Sequence, residues 1–404
     1  MWEQISSNRT RSIVLVIIMG LLLLLLGYFL GIAFFDSGIL GLILAIVVWI
    51  IMNLIAYFQG DNILLGMAKA RKIEKEDYPR LYNIVEEMKL ASGLEHMPTI
   101  YIIDDPASNA FATGRDPKQA SVAVTTGLLQ VLNRDELQGV IGHELSHVKN
   151  RDVLLMAMCS ILLGTIVIIA YYASRFLIFG GVGNRRRSSS GGGSAQLIIL
   201  IIGLVFMILA PIAAQFIYFA ISRKREYLAD ASSALYTRYP EGLASALEKI
   251  ASSTNQLKSA NNATAPMYII NPFRKQGLRA SDLTSTHPPI SERIRILRSM
   301  AGGASYKDYN QAYQQIHKGS NVMPPSALGL TEPVPLRSAQ TGTAQAGGAY
   351  ESGRRERARE INDLLWKKDN YIMLDCSCGT RLKIPPEFKN AIVRCPHCGK
   401  VHQV

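Results

Sequence analysis

The stretch Gly142-His143-Glu144-Leu145-Ser146-His147 has the arrangement H-E-x-x-H. It sits in a proline-free segment, Asp135 to Asp152, that reads as a helix. Residues four apart in a helix lie one turn apart on one face, so both imidazoles can reach a single metal ion. Glu144 stands beside them, where it can take a proton from water held by that metal. Two solvated histidines on a helix surface would show the same spacing, so the elements that must complete the site carry the argument.

A hydrolytic zinc needs three protein ligands and one open position. A source for the third follows a long apolar block, in Ser222-Arg-Lys-Arg-Glu226-Tyr-Leu-Ala-Asp230. Glu226 and Asp230 share one helical face. One of them can bind the metal while the other holds a ligand histidine from behind. The neighbouring arginines favour a competing reading, a solvated salt-bridged surface.

The 404 residues are enough for more than one folded unit. With 49% hydrophobic and 18% charged residues, the chain is too apolar for an ordinary soluble protein, and the excess comes in blocks. Ile13–Phe35 is long enough to span a bilayer. No small-residue cleavage site follows it, so it reads as an anchor. Further spans are expected at Ile39–Phe58, Val153–Phe179 and Gln196–Ile221, with Pro211 as a kink in the last. Asp36-Ser37-Gly38 reads as a tight turn.

Four spans put both termini, residues 59–152 and everything after Ser222 on one side. That side carries Arg9, Arg11, Lys69, Arg71, Lys72, Lys75, Lys149, Arg151, Arg223, Lys224 and Arg225 near the span ends, which marks it as cytoplasmic. Arg185-Arg186-Arg187, in the Gly/Ser-rich loop from Gly180 to Ala195, fall on the other face and run against this pattern. The net charge of +12 is thereby assigned to membrane orientation. No basic stripe with interleaved aromatics points to nucleic acid.

The expected fold is an α-helical membrane protein with an α+β catalytic domain and a small C-terminal module. Residues 1–58 form two membrane helices. The first part of the catalytic domain covers 59–152, a membrane hairpin 153–221, and the second part of the domain 222–320. A Pro/Gly/Ala/Ser/Thr-rich linker covers 321–353, and a short charged helix with the module covers 354–404. Within the first catalytic part, Tyr78–Ser92 reads as a helix, and Thr99–Ile103 and Ser121–Thr126 as strands. Asn133 caps the H-E-x-x-H helix, with Glu136 at the capping-box position. Arg223–Leu247 reads as helical, interrupted near Pro240. The hairpin explains how distant residues meet. The H-E-x-x-H helix leads into span three and span four leads into the Glu226 helix, so a metal would sit just above the membrane surface.

Together with Ser108-Asn-Ala-Phe-Ala-Thr-Gly114 and Ser285-Thr-His-Pro-Pro289, these two motifs resemble the M48 peptidases, and most closely the HtpX-type membrane proteases. The resemblance covers roughly residues 1–300. It implies a zincin fold of the gluzincin kind, a catalytic Zn2+ held by His143, His147 and Glu226, with Asp230 behind a histidine, and Glu144 as general base. It also implies that Asn109 and Ala110 lie on an edge strand that pairs with an extended substrate, and that His287 and Arg293 stabilise the tetrahedral oxyanion. The implied activity is zinc-dependent endopeptidase action on misfolded or selected membrane proteins, in a multi-pass protein of the cell inner or plasma membrane. Two other readings compete. A processing protease for a defined peptide is disfavoured by having only four spans. A non-catalytic adaptor is disfavoured by Glu144.

The C-terminus carries a separate cluster. Cys376-Ser-Cys378-Gly379 and Cys395-Pro-His-Cys398-Gly399 resemble the two knuckles of a zinc ribbon, with C-x-C in place of the commoner C-x-x-C in the first. Four thiolates leave no open position, so a second Zn2+ there is expected to be structural, with His397 or His402 as alternative ligands. Arg381-Leu-Lys-Ile384 suits a short strand between the knuckles. The module is a candidate site for a protein partner. Cys159, inside an apolar block, reads as a packing residue.

Overall fold

A computed structural model describes residues 2–179, 205, 208–213, 223–258, 260, 265–270, 272, 287–323, 325–329, 334–339, 353–388 and 392–403. The expected fourth span and the Arg185–Arg187 loop therefore lie outside the described residues, except for 205 and 208–213, which are helical.

The apolar blocks form long helices. Helix α1 runs Trp2–Phe35 and α2 runs Gly38–Met67. Asp36, in the left-handed region at φ 53°, turns the chain between them, and the Ser37 hydroxyl accepts from Leu40 N–H at 3.3 Å to cap α2. The two helices cross in close contact. A Cβ on Gly41 would lie 2.1 Å from the Gly27 carbonyl oxygen, and one on Gly31 only 2.5 Å from Gly41 Cα. Small residues let the backbones approach as in packed membrane helices. The opposite faces expose Ile17, Leu21, Ile43, Ile50 and Leu54, apolar side chains suited to lipid. Among the described residues, Gly38–Met67 and Asp152–Tyr172 are long and apolar enough to cross a bilayer. Helix α2 does not stop at Phe58. Its last turns bury Leu64 and Leu65 against Ile103, Phe111 and Tyr268, so the second membrane helix is continuous with the α+β part.

That part is built on a four-stranded sheet. Strands β1 (Arg71–Lys72), β2 (Thr99–Ile103), β3 (Ala110–Thr113) and β4 (Ser121–Thr125) lie in the order β1-β2-β4-β3. The β2–β4 pair is parallel, with Thr99 opposite Ser121, and β3 runs antiparallel to β4 with Ala110 opposite Val124. Strand β3 is thus the sheet edge. Helices α3 (Pro79–Ser92) and α4 (Thr126–Val131) flank it; Thr126 opens α4 instead of ending the strand, because the Thr125 hydroxyl caps the helix at Leu128 N–H, 3.2 Å.

Helix α5 (Arg134–Lys149) carries the H-E-x-x-H residues. Its capping box forms as expected: Asn133 Oδ1 accepts from Glu136 N–H at 2.9 Å and Glu136 Oε2 from Asn133 N–H at 2.8 Å. The helix ends before Asp152, however. Arg151 takes φ 58° and turns the chain, so α6 (Asp152–Phe179) starts in a new direction. Residues 223–237 form α7, Pro240–Ser252 form α8, and Ile290–Arg298, Tyr306–Ile316 and Pro325–Leu328 form α9, α10 and α11. Gly139 lets α8 cross α5 closely; a Cβ there would sit 2.7 Å from Leu243 N.

Within the expected linker, the described residues 321–323, 325–329 and 334–339 include several that pack against the catalytic part. Met323 and Ala327 are buried in the main core. The Arg337 guanidinium bonds the Thr237 carbonyl at 2.7 Å and Asp135 and Gln138 at 2.8 Å each. Helix α12 (Arg354–Lys368) sinks Ile361 and Leu364 into the same core as the sheet and α5. Beyond it, β5 (Ile372–Asp375) pairs with β6 (Arg381–Ile384), and β7 (Ile392–Arg394) with β8 (Val401–Gln403).

Candidate metal centre

Helices α5 and α7 face each other above the start of α6. Three potential donors converge there. His143 Nε2 and His147 Nε2 are 3.3 Å apart, and Glu226 places Oε2 3.5 Å from the first and Oε1 3.5 Å from the second. Donors at about 2.0–2.1 Å from a tetrahedral zinc are separated by roughly 3.3–3.4 Å, so the triangle has the right size for one ion. All three residues are buried. Two buried carboxylate oxygens, Glu144 Oε1 and Glu226 Oε2, have no hydrogen-bond partner, as expected of atoms that serve a metal or its water.

The rings are held from behind. His143 Nδ1 lies 3.0 Å from Asp230 Oδ1, and His147 Nδ1 lies 3.3 Å from Asp152 Oδ2. With the ring proton on Nδ1, toward the carboxylate, each Nε2 lone pair would face the centre of the triangle and be free for a metal. Arg293 grips Asp230 with two bonds, Nε to Oδ2 at 2.8 Å and Nη2 to Oδ1 at 2.7 Å, and its Nη1 donates to the Ile269 carbonyl at 3.2 Å. Asp152 Oδ1 is 3.6 Å from Arg225 Nη1.

These contacts set the charges. Burial pushes the Glu144 carboxyl up, against the pull of the two nearby histidines. Glu226 and Asp230 are buried too, but for Glu226 the histidines, His287 first, and for Asp230 the Arg293 charge outweigh burial and hold both low. For His143, burial opposes the charged form, yet the facing carboxylates of Asp230 and Glu226 prevail and raise it to about 9 without a metal, so an arriving cation displaces a proton. His287 is lowered to about 4, mainly by burial, and is neutral at pH 7.

The residues singled out in the sequence gather here. Glu144 follows His143 on α5, and the Ala112 backbone N–H on β3 donates to its carboxylate. His287 Nε2 and Arg293 Nη1 lie 3.5 and 3.6 Å from Glu226 Oε2. Asn109 and Ala110 are at the edge strand, but there they already have partners. The Ala110 carbonyl accepts from Ile269 N–H at 3.0 Å, and Asn109 Nδ2 donates to the Ile270 carbonyl at 2.9 Å. Asp152, Arg225 and the Tyr268–Ile270 segment escaped the sequence reading. Asp152 alone left a signal there, an acid at the rim of an apolar run, where a charge is costly unless used.

The four C-terminal cysteines also converge, with Cys376 Sγ 3.4 Å from Cys398 Sγ and Cys378 Sγ 3.7 Å from Cys395 Sγ. Zinc–thiolate bonds of about 2.3 Å predict sulfur separations of roughly 3.8 Å, close to these values. Gly379 and Gly399 adopt φ 84° and 75°, which closes each knuckle and favours glycine at both positions. His402 Nε2 sits 3.2 Å from Cys376 Sγ, while the ligand-sized cluster is formed by the four sulfurs.

Two histidines and a glutamate on facing helices, with a second glutamate beside them and an edge strand alongside, define a zinc-dependent metallopeptidase. The chain belongs to peptidase family M48, whose model matches residues 75–301. It is similar to proteins described as "Protease HtpX homolog". The one from Dictyoglomus turgidum is 45% identical over 306 residues, covering 74% of this chain and 94% of the relative. The one from Thermoanaerobacter pseudethanolicus is 45% identical over 300 residues, 74% and 98%. The one from Streptococcus pyogenes is 43% identical over 300 residues, 74% and 100%. Among solved structures, S. mikatae Ste24p aligns with a TM-score of 0.41 at 21% identity, covering 74% of this chain and 67% of that one. The protein is a membrane zinc metalloprotease of the HtpX type.

Proposed function

We propose that the chain is an endopeptidase that cleaves misfolded or selected membrane proteins at the cytoplasmic face, as a form of protein quality control. The observation that supports this most is the His143–His147–Glu226 triangle with the unpartnered Glu144 Oε1 beside it. His143, His147 and Glu226 are the ligands. A zinc ion there supplies a Lewis acid for the scissile carbonyl and lowers the pKa of its water. Glu144 takes the proton of the attacking water and delivers it to the leaving amine; its buried, raised carboxyl suits a group that must accept and then release a proton. Neutral His287 is placed to donate to the developing oxyanion, and Arg293 acts through Asp230, to which its Nε and Nη2 donate.

Strand addition along β3 would bind substrate backbone and tolerate many sequences, which fits unfolded clients. A substrate that uses the Ala110 carbonyl shares it with, or displaces, the Ile269 N–H bonded to it. Both termini and residues 59–152 face the cytoplasm and Arg185–Arg187 the other side; labelling of a cysteine at position 188 from the cytoplasmic side alone contradicts that orientation. The four-cysteine cluster holds a structural zinc, and the module around it is a candidate site for a protein partner. The test of the cellular role compares membrane proteins that accumulate in cells carrying wild type and Glu144→Gln. Clients accumulate with the variant; identical profiles contradict the role.

A further inference from the structure

We infer that Asp152 is a positioning residue for His147, so that the membrane helix α6 carries one of the supports of the metal centre. This rests on the reading of His147 as a metal ligand. The two histidines turn out to be held by matching relays. On one side His143 Nδ1 meets Asp230 at 3.0 Å, and Asp230 meets Arg293 at 2.7 Å. On the other, His147 Nδ1 meets Asp152 at 3.3 Å, and Asp152 meets Arg225 at 3.6 Å. In each relay the carboxylate accepts the Nδ1 proton, fixes the tautomer and aims Nε2 at the shared centre.

An acid at the first position of a helix has a simpler use, since it complements the helix dipole. That use needs only an exposed carboxylate. Asp152 is instead buried, its side chain 1% exposed, at the end of an apolar helix, and a buried carboxylate is tolerated only with partners. One oxygen faces His147 and the other Arg225, the residue just before the ligand Glu226. The turn at Arg151, φ 58°, is what brings Asp152 back beneath His147. Residues from α5, α6 and α7 thus close one relay across the metal site.

The test is metal titration of the full-length protein in detergent with Zn2+ under chelator competition, and with Co2+, whose bands separate the His/Glu site from the thiolate site. Asp152→Asn is expected to weaken the His/Glu site about 10–100-fold and shift its Co2+ bands, while leaving the metal-free melting temperature unchanged. Asp152→Ala is expected to lose more, because Asn Oδ1 still accepts from Nδ1–H. Wild-type affinity, within about twofold, in Asp152→Ala overturns the inference. If that variant does not fold, the isosteric Asp152→Asn decides by the same criterion. His147→Ala separates the two layers: retention of metal at the His/Glu site overturns the ligand reading itself, whereas its loss there alongside wild-type affinity in Asp152→Ala overturns only the role of Asp152.

Discussion

The two donor clusters of this chain are built in opposite ways. The cysteine site is local. Four sulfurs come from two short hairpins, each closed by a glycine with positive φ and by backbone bonds such as Cys395 N–H to the Lys400 carbonyl at 2.8 Å. Two of its cysteines are exposed. The His/Glu site is assembled from α5, α7, α6 and α9, with every donor buried and each histidine ring fixed by a carboxylate and an arginine. A closed set of four ligands needs only local geometry to hold an ion. A three-ligand site that must keep a position open relies on a surrounding layer to hold its donors in place.

The largest effects should separate the two sites. On the proposed ligand assignment, Glu226→Gln removes an anionic donor and should empty the His/Glu site while the cysteine site retains the zinc proposed for it. Cys395→Ser should do the reverse and leave peptide hydrolysis intact. Metal analysis of both purified variants checks this. Parallel loss of both ions in either variant would mean that the sites are not independent. A change at the junction between the regions comes next. Leu364 of α12 is 1% exposed in the catalytic core, so Leu364→Ala should destabilise the catalytic part by about 2–5 kcal/mol. Chemical denaturation followed by loss of hydrolysis measures it, and an unchanged midpoint would show that α12 is only appended. Smaller again is Asp230→Asn, expected to weaken zinc binding about 10–100-fold, clearly less than Glu226→Gln. If the order of those two variants is reversed, the ligand is Asp230 and the assignment is off by one helical turn.

How much of this was legible in the sequence follows the same local-versus-distant division. The pair His143 and His147, Glu144 between them, and the Asn133–Glu136 capping box all lie within one helix, where spacing alone fixes the geometry. The knuckles were legible for the same reason. Spacing narrowed the third ligand to Glu226 or Asp230, and only the resemblance to M48 peptidases chose between them. Asp152 was visible only as the end of a helix, because a single turn at Arg151 decides that its carboxylate points back at His147. Nothing in the composition of 321–353 marked Arg337, three of whose side-chain acceptors lie about 100 or more positions away. Helix α12 read as charged because Ile361 and Leu364 are a narrow apolar stripe in a polar segment. Contacts made across long sequence separations leave little trace in local pattern.

In the proposed mechanism Glu144 acts on water and not on the metal. Zinc content and cleavage of unfolded casein, measured side by side for purified wild type and Glu144→Gln, test it most directly. An unchanged zinc content and a cleavage rate lower by about 10²–10⁴-fold are expected in the variant. Cleavage by Glu144→Gln at the wild-type rate would contradict it.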